Sequence, residues 1–359
     1  MDLETKLSLI KEEPTEEIIT EADLRELLET NDHPQHYIGF EISGMLHIGS
    51  LVVPGLKIQD LLAAGCRCIV FLADWHAWIN NKLEGDMEKI QVAAKYYREA
   101  FQQLSPKVQL ILGSDLYHNN NEYWKNLVLI AKKCTLSRVT RCLTIMGRKE
   151  DEKLDFAQFI YPPLQSADIR EMKIDIAHAG MDQRKVHMLV KDVFPKLNWK
   201  APVALHNHLL PGLMKPEREG YAENAGLDLS ISSKMSKSKP WTCIFIHDSK
   251  EQIEEKLKKA WCPEKQKEGN APLEYVRYVI LRKFKSFDVE RLAKFGGNVS
   301  FGSYEEVERA FVCGELHAQD LKMAVANYLD KVVSPFREHF EKPAYAKLLE
   351  VYKEAKITR

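Results

Sequence analysis

Apolar residues alternate between short continuous runs and longer runs with helical spacing over the first two thirds of the chain. The short runs predict β-strands at 37–40, 68–73, 108–112, 174–177 and 203–205. The longer runs place apolar residues three or four positions apart, which predicts helices at 48–64, 86–104, 121–136 and 182–197. Strands and helices that alternate in this way favour an α/β fold, in which helices cover both faces of a parallel sheet.

Polar residues and glycines follow the ends of these predicted strands. His47, Asp74, His76 and Gly180 each lie just beyond a strand or the turn that follows it. Ligands of open parallel sheets bind outside the carboxyl ends of the strands, where the strand order reverses. These positions therefore indicate the binding edge of the sheet. By sequence alone, Asp74 and His76 could equally be a helix cap and a core histidine.

The pattern becomes helical after residue 249, with predicted helices at 251–261, 273–281, 304–312, 318–333 and 344–356. We therefore expect a domain boundary near Asp248, with an α/β domain at 1–248 and a helical domain at 249–359. The stretch 213–233 is polar and contains glycine, proline and glutamate, which predicts a mobile or partly ordered segment.

Composition narrows the class of protein. The 359 residues are 45% hydrophobic and 29% charged, which suits a large core in two domains. The net charge is −1, so any nucleic-acid partner would need a local basic surface. The seven cysteines form no Cys-x-x-Cys pair, and this favours a reducing cytoplasm without zinc or disulfides. No apolar run approaches a membrane span, and the acidic N-terminus does not resemble a signal peptide.

Residues 234–238 read Lys-Met-Ser-Lys-Ser, the most informative motif of the chain. Two lysines and two serines around one apolar residue provide ammonium and hydroxyl donors on a flexible segment. Such donors stabilise the charge of an oligophosphate while a bond to phosphorus breaks. A solvated surface loop can have the same composition, and composition alone leaves that alternative open.

A second motif, His47-Ile48-Gly49-Ser50, lies between a predicted strand and a predicted helix. The free N–H groups and the positive dipole end of a helix N-terminus favour a phosphate at this place. Glycine at the third position lets a nucleotide approach the backbone closely. His47 could instead be an ordinary helix-capping residue.

A third group of polar residues follows helical spacing. Tyr161, Gln165 and Asp168 lie at positions i, i+4 and i+7 after a proline pair that suits a helix start. One helix face therefore carries a phenol, an amide and a carboxylate where a core helix would carry apolar side chains. The alternative is a polar surface stripe.

The two motifs together resemble the class I aminoacyl-tRNA synthetases. Further segments look like the tyrosyl-tRNA synthetases of the archaeal and eukaryotic type: 37–41 (YIGFE), 71–77 (FLADWHA), 160–162 (IYP), Gln165, 168–169 (DI) and 180–185 (GMDQRK). The similarity runs in order from about Thr15 to about Arg337. Ser50 departs from the family's HIGH motif, where the fourth residue is histidine, and this puts one nucleotide contact in doubt.

The resemblance implies a fold and a reaction. The fold would be a Rossmann-like parallel sheet with an inserted dimerisation segment at about 121–172, followed by a helical anticodon-binding domain. The protein would activate L-tyrosine with ATP and transfer it to tRNA(Tyr), as a homodimer. Mg²⁺ would accompany ATP, and no metal site on the protein is expected. A pocket selective for the phenol hydroxyl would need no editing domain.

The resemblance also assigns roles to residues. Tyrosine would be bound by Tyr37, Gly39, Glu41, Ala73, His76, Tyr161, Gln165, Asp168 and Gln183. Within that set, Tyr37 and Asp168 would meet the substrate hydroxyl, and Tyr161, Gln165 and Gln183 its ammonium. The catalytic residues would be His47, Gly49, Lys234 and Lys237, and ATP would also meet Ser50, Met235, Ser236 and Ser238. The tRNA would contact Arg184, Lys185 and Met188 at its acceptor end and Phe295, His317 and Asp320 at its anticodon.

Several of these residues could instead have purely structural roles. By sequence alone, Tyr37 and Phe295 could be core aromatics, and Arg184 and Lys185 could lie on a solvated helix face. Among functions, a tryptophanyl-tRNA synthetase is the closest rival. Tyr37 and Asp168 argue against it, because an indole offers only an N–H donor. A catalytically silent RNA-binding relative and a small-molecule nucleotidyltransferase are weaker alternatives.

Overall fold

The structure is a computed structural model that describes residues 1–147 and 154–354, except the side chains of Phe295, Lys353 and Glu354. Part of the expected dimerisation segment (148–153), the end of the predicted helix 344–356 and the side chain of Phe295 therefore lie outside the described residues. Among the described residues, no helix has both the length and the apolar character needed to cross a bilayer.

A six-stranded sheet forms the centre of the first part of the chain, in the order β1-β6-β5-β2-β3-β4. Its strands are β1 Thr15–Ile19, β2 Gln35–Glu41, β3 Arg67–Ala73, β4 Gln109–Leu112, β5 Ile176–Gly180 and β6 Val203–Asn207. The pairs from β6 through to β4 are parallel, which confirms the predicted α/β fold. β2 pairs with both β3 and β5, so the strand order reverses at β2, and the ends of β2 and β5 flank the expected crevice.

One strand of the sheet was not predicted. β1 pairs antiparallel with β6 at the edge, and its sequence Thr-Glu-Glu-Ile-Ile lacks a continuous apolar run. A small two-stranded sheet, β7 Phe287–Val289 with β8 Val299–Phe301, was also missed. Both strands of that sheet have only three residues, too few for a periodic pattern.

The α-helices in chain order are α1 Leu3–Lys11, α2 Glu21–Thr30, α3 Val53–Ala63, α4 Asp74–Ile79, α5 Met87–Leu104, α6 Gly113–Tyr117, α7 Asn121–Ala131, α8 Leu136–Cys142, α9 Tyr161–Glu171, α10 Arg184–Val193, α11 Ala225–Ser233, α12 Lys250–Lys259, α13 Ala271–Tyr275, α14 Leu281–Lys283, α15 Tyr304–Cys313, α16 Ala318–Glu341, α17 Pro343–Ala346 and α18 Val351–Glu354. Turns of π-helix precede α3 at Ile48–Val52 and α14 at Val276–Ile280.

Several helix predictions need correction. The predicted helix 121–136 ends early, because the Thr135 side chain accepts from the N–H of Arg138 and caps a new helix, α8. The segment 213–233 contains α11, and the buried Asp228 accepts from the N–H groups of Gly220 and Tyr221 at 3.0 and 2.6 Å. The segment thus contains ordered structure, which is compatible with a partly ordered stretch, and its mobility stays a prediction.

Two more helix ends differ from prediction. α16 continues eight residues past the predicted end at 333, through Pro335 to Glu341, and it buries Phe336 and Phe340. Apolar burial of this kind outweighs the single backbone hydrogen bond that a proline removes. The predicted helix 344–356 is broken into α17, a 3₁₀ turn at Lys347–Leu349 and α18 as far as the described residues reach.

Contacts divide the chain into two compact units. The first comprises Met1–Gly44, Lys57–His208 and the end of the chain from Leu348, and the second comprises Met45–Leu56 and Leu209–Lys347. The core of the first unit includes Tyr37, Phe71 and Leu164, while that of the second includes Ile48, Met235 and Phe311. The His47 motif and the 234–238 motif thus belong to the same unit. The functional boundary near Asp248 remains a prediction.

Candidate active site

Asp168 lies at the centre of a buried polar cluster in the first unit. Its Oδ1 accepts hydrogen bonds from the phenols of Tyr117 and Tyr123, at 2.9 and 2.7 Å. Its Oδ2 is buried and has no hydrogen-bond partner among the described residues. Burial raises the pKa of Asp168 to about 8, although the two phenols lower it. The site therefore holds a carboxyl oxygen with an open hydrogen-bonding position, and a ligand that donates to it would favour the ionised form of Asp168.

Tyr37 of β2 belongs to the same cluster. It is buried, and its side chain forms a hydrogen bond with Gln165. Burial, and then the charge of Asp168, raises the pKa of Tyr37 well above its usual value, so the phenol stays protonated. A Cβ on Gly39 would lie 2.5 Å from the Tyr37 hydroxyl. Glycine at this position therefore leaves room for the Tyr37 ring to reach the cluster.

His76 of α4 lines the same cluster as a neutral ring. Its Nε2 lies 3.6 Å from Asp168 Oδ2, and neither ring nitrogen has a hydrogen-bond partner within the described part of the chain. Burial lowers the pKa of His76 to about 3. The ring packs edge-on against Tyr161, with centroids 4.5 Å apart. His76 can thus donate or accept a hydrogen bond, but it provides no positive charge near neutral pH.

Acceptors for a cation lie at the ends of β2 and β5. Glu41 ends β2, and its Oε1 accepts from the Tyr161 hydroxyl at 3.2 Å and the Asn80 amide at 2.8 Å. Gln183 follows β5, and its amide nitrogen donates to the carbonyl of Ile145 at 2.8 Å. That bond orients the Gln183 amide and leaves its oxygen as the acceptor. Ala73, the last residue of β3, is buried beside α4.

The Asp74 carboxylate is fully hydrogen-bonded to neighbouring segments of the first unit. Its carboxylate accepts from the backbone N–H groups of Trp75 and Ser114, at 2.9 and 3.1 Å. It also accepts from the Gln91 amide at 2.6 Å and from the Ser114 hydroxyl. Both carboxylate oxygens are therefore satisfied, and Asp74 fastens the end of β3 to the start of α6.

The His47 motif, in the second unit, opens a π-helical turn with a reciprocal cap. His47 Nδ1 accepts from the N–H of Ser50 at 3.2 Å, and Ser50 Oγ accepts from the N–H of His47 at 3.0 Å. The ring proton consequently resides on Nε2, as a donor. Burial, and then the charges of Lys237 and Lys234, lowers the pKa of His47 well below its usual value. A Cβ on Gly49 would press on the His47 ring at 3.3 Å.

The 234–238 motif follows α11 and is anchored by its apolar residue. Met235 is buried in the core of the second unit, and its N–H donates to the carbonyl of Leu210 at 2.9 Å. Ser236 and Ser238 bond through their hydroxyls at 3.0 Å. Lys234 and Lys237 flank the anchor, and both charges act on His47. The structure thus unites the two motifs, which are separated by about 190 residues in sequence.

The predicted tRNA residues lie in three places. Arg184, Lys185 and Met188 are partly exposed on α10, whose remaining first-turn residues are buried. Phe295 ends the turn Ala293–Phe295, and His317 caps α16, with Asp320 in its first turn. Arg291 joins the last two places, because its guanidinium donates to the carbonyls of Gly297 and Glu315 at 2.9 and 2.8 Å.

Comparison with known proteins decides the family. The sequence model described as "tRNA synthetases class I (W and Y)" matches residues 29–334. The chain belongs to this family. It is 46% identical to the tyrosine--tRNA ligase of Thermococcus kodakarensis, and the alignment covers the whole of both chains.

Solved structures of synthetases agree with this assignment. The crystal structure of the Pyrococcus horikoshii tyrosyl-tRNA synthetase complexed with L-tyrosine is 44% identical, with a TM-score of 0.92 over 99% of this chain and 100% of that one. The Leishmania major tyrosyl-tRNA synthetase in complex with tyrosinol is 30% identical, with a TM-score of 0.87 over 98% of this chain and 60% of the other. The Rossmann-like fold expected from the resemblance is confirmed.

Sequence reasoning missed several residues of this synthetase site. Tyr117 and Tyr123, which hold Asp168, come from α6 and α7, and no motif marks them. Asn80 and Lys82, which contact the Glu41 carboxylate, were missed for the same reason. Across the described ranges, no group of three or more potential ligands could hold a metal ion.

Proposed function

We propose that this synthetase is a tyrosine--tRNA ligase. It activates L-tyrosine with ATP to tyrosyl-adenylate and pyrophosphate, and then transfers tyrosine to the terminal adenosine of tRNA(Tyr). The observation that carries the proposal is the buried Oδ2 of Asp168, which has no hydrogen-bond partner in the described part of the chain and lies in the cluster that holds the Tyr37 hydroxyl. A ligand group that donates to one of these atoms and accepts from the other completes the site.

A phenol hydroxyl has that chemistry. It donates to Oδ2 of the ionised Asp168, a form that the added hydrogen bond favours, and it accepts from the Tyr37 hydroxyl, so both buried groups are satisfied. Phenylalanine would leave Asp168 Oδ2 without a donor and the Tyr37 O–H without an acceptor, at a cost of about 1–3 kcal/mol for each group. Tryptophan can donate but cannot accept, so it would leave the Tyr37 O–H without an acceptor. The same pocket therefore favours tyrosine over the other amino acid of the family.

The amino group of tyrosine needs acceptors, and the first unit provides them. Glu41 offers a carboxylate at the end of β2, and Gln183 offers its amide oxygen after β5. Tyr161 donates to Glu41 and therefore keeps that carboxylate in place. The hydrogen bond between Gln165 and Tyr37 supports a role for Gln165 beside the phenol as well as the ammonium role that the resemblance implies.

ATP would meet the two motifs of the second unit. His47 donates from Nε2 to a phosphate oxygen, and Lys234 and Lys237 neutralise the pyrophosphate as it leaves. The tyrosine carboxylate attacks the α-phosphorus and the bond to pyrophosphate breaks, so the nucleophile requires no protein base. ATP enters as its Mg²⁺ complex, which supplies further charge neutralisation. A ribose hydroxyl of the tRNA then attacks the acyl carbon and releases AMP.

We assign the acceptor end of tRNA to α10 and the anticodon to the segments around Phe295 and His317. An aromatic or histidine ring can stack on an unpaired base, and the Asp320 carboxylate can accept from a guanine. We propose that the protein acts in the cytoplasm, where tRNA is charged for protein synthesis.

We propose that the protein is a homodimer whose interface is formed by the segment 121–172. Its described part exposes Val128, Leu136, Phe156 and Ile160, with 57, 69, 81 and 38% of each residue accessible. Exposed apolar residues clustered in one segment are typical of a surface that a partner covers.

The decisive experiment is ATP–pyrophosphate exchange without tRNA, with tyrosine, phenylalanine and tryptophan as separate substrates. Exchange with tyrosine alone supports the proposal. Exchange with tryptophan would show that the pocket binds tryptophan, the other amino acid of the family, and not tyrosine. A folded protein that binds tRNA but exchanges with none of the three would be a silent RNA-binding relative, and the proposal would be wrong.

A further inference from the structure

Glu17, in the edge strand β1, makes a contact to which neither the motifs nor the proposed chemistry assigns a role. Its two carboxylate oxygens lie 3.0 and 2.9 Å from Nε of Arg184, at the start of α10. Its Oε2 also lies 2.8 Å from Nδ1 of His206 in β6. The pairing of β1 with β6 places Glu17 directly opposite His206. One carboxylate thus joins the edge strand, the next strand and the helix proposed to meet tRNA.

Two buried histidines form a hydrogen-bonded chain that ends on this carboxylate. His206 Nε2 lies 3.0 Å from Nδ1 of His187 on α10, and both residues are buried. Burial, and then the charge of Arg184, lowers the pKa of His206 to about 4. Burial, and then His206, lowers the pKa of His187 well below its usual value. Both rings are therefore neutral at neutral pH.

Neutral rings fix the direction of the hydrogen bonds. Glu17 can only accept, so His206 carries its proton on Nδ1 and donates it to the carboxylate. His206 Nε2 then accepts from the Nδ1–H of His187. The chain His187–His206–Glu17 therefore ends on a carboxylate held at a fixed position.

Arg184 is held by one edge of its guanidinium only. The described residues provide polar partners for its Nε through Glu17 and none for its two terminal nitrogens. Its side chain is 39% exposed. A guanidinium fixed at Nε presents its other two nitrogens as a planar fork, the geometry that binds phosphate or the edge of a guanine.

We propose that Glu17 is a positioning residue, which orients the Arg184 guanidinium so that its terminal nitrogens recognise the acceptor end of tRNA. This inference rests on the proposed function, in which Arg184 contacts that end of the tRNA. A long arginine side chain loses considerable rotamer freedom when it binds. Glu17 restricts that freedom before the tRNA arrives, and pre-organised groups bind more tightly than flexible ones.

The variant Glu17→Gln separates positioning from plain electrostatics, because the two predict opposite signs. If Glu17 only neutralised Arg184, removal of its charge would make the surface more basic and lower the KM for tRNA. If Glu17 positions Arg184, the KM for tRNA rises about tenfold, the effect of one misplaced charge-assisted hydrogen bond. ATP–pyrophosphate exchange, which needs no tRNA, stays within about twofold of the parent in the positioning case.

The chain offers a matched control at the neighbouring position. Glu16 is also in β1, and its carboxylate lies 3.1 Å from Nδ1 of His208, away from Arg184. Glu16→Gln makes the same change in charge and should leave the KM for tRNA unchanged or slightly lower, whereas a positioning role makes Glu17→Gln raise it. A second test variant, Glu17→Asp, keeps the charge but shortens the reach to Nε. It should raise the KM for tRNA as Glu17→Gln does, and it provides the test if Glu17→Gln fails to fold.

The single and double variants with Arg184→Ala distinguish the possible failures. The positioning role predicts that Arg184→Ala raises the KM for tRNA and that Glu17→Gln adds nothing further in the double variant. If Arg184→Ala has no effect on tRNA, the assignment of Arg184 in the proposed function is wrong, and the inference falls with it. If Arg184→Ala raises the KM for tRNA but Glu17→Gln does not, the positioning role alone is wrong. Parallel losses of exchange activity and Tm in Glu17→Gln would indicate a purely structural residue.

Discussion

His47 and Ser50 form a reciprocal cap, in which His47 Nδ1 accepts from the Ser50 N–H and Ser50 Oγ accepts from the His47 N–H. The residue that departs from the family motif is therefore part of the cap that orients the histidine. The same cap sets the tautomer of His47, whose Nε2–H remains as the donor.

Substitution of His47 separates its capping role from its proposed role on ATP. His47→Asn keeps an acceptor for the Ser50 N–H, since asparagine is a strong N-cap, but it has no group at the Nε2 position. We expect an unchanged Tm and a kcat for ATP–pyrophosphate exchange about a hundredfold lower. His47→Gln places an amide nitrogen near the Nε2 position and should retain activity within about tenfold of the parent. Full exchange activity in His47→Asn would show that His47 acts only as a helix cap and has no role on ATP.

Replacement of Asp168 should lower the activity of the protein and raise its thermal stability. Asp168→Asn retains an acceptor for Tyr117 and Tyr123 but places an amide where the substrate hydroxyl would donate. The kcat/KM for tyrosine should fall about a hundredfold, while Tm rises, because a buried and incompletely paired carboxylate is removed.

The pH dependence of that gain has a definite sign. Burial raises the pKa of Asp168 from its ordinary value of 3.8 to about 8 in the folded protein, so the contribution of Asp168 to stability is complete below pH 3.8 and is lost as pH rises towards 8. The Tm advantage of Asp168→Asn should therefore grow between pH 5 and 8. Asp74→Asn is a comparison for the sign at neutral pH: both oxygens of Asp74 are bonded, so this variant should lower Tm, although burial raises the pKa of Asp74 as well. A lower Tm in Asp168→Asn at pH 8 would contradict the prediction.

Buried histidines should make the first unit sensitive to acid. His36, His178, His187 and His206 are all buried, and burial lowers the pKa of each, to about 3 for His36 and about 4 for His206. The unfolded chain binds protons below pH 6.5 that the folded chain does not, so stability is complete above pH 6.5 and falls as pH drops towards 4.

Urea unfolding at a series of pH values measures this effect. His36→Gln keeps a nitrogen near His178 and should reduce the slope of unfolding free energy against pH by about 1.4 kcal/mol per pH unit. The exposed His118 supplies the control, since His118→Gln should leave the slope unchanged. Equal slopes in the parent and His36→Gln would show that this ring does not contribute.

Met235 should matter more to catalysis than an apolar residue between two lysines suggests. Met235→Ala removes the buried anchor of the 234–238 motif, so Lys234 and Lys237 lose their fixed positions. We expect kcat for exchange to fall about tenfold while the KM for tyrosine changes little, because the phosphates depend on these lysines and the phenol pocket does not. Met214, which is 47% exposed in the same unit, is the matched control, and Met214→Ala should be silent.

The proposed dimer surface can be tested at Phe156, the most exposed large apolar residue among those described. Phe156→Glu introduces a charge where a partner would cover apolar surface, so light scattering should report a monomer. The same change at Val312, on α15 in the other unit, should leave the mass unchanged. If the parent protein is already a monomer at micromolar concentration, the dimer assignment is wrong.

Sequence alone was sufficient for the features that depend on local pattern. The alternation of apolar strands with amphipathic helices predicted the parallel sheet, since each element buries a face that its own periodicity defines. The strings around His47 and Lys234 indicated phosphate chemistry because the required donors are adjacent in sequence. The spacing of Tyr161, Gln165 and Asp168 placed them on one helix before any contact was known.

Only the tertiary structure decided how those residues are held. β1 is too polar to be predicted, and it exists as a strand through its pairing with β6. Tyr117 and Tyr123 reach Asp168 from segments about 50 residues away, and Glu17 reaches Arg184 across 167. Contacts between distant segments leave no periodic signal in the sequence. Protonation states likewise depend on burial, which is a property of the folded chain.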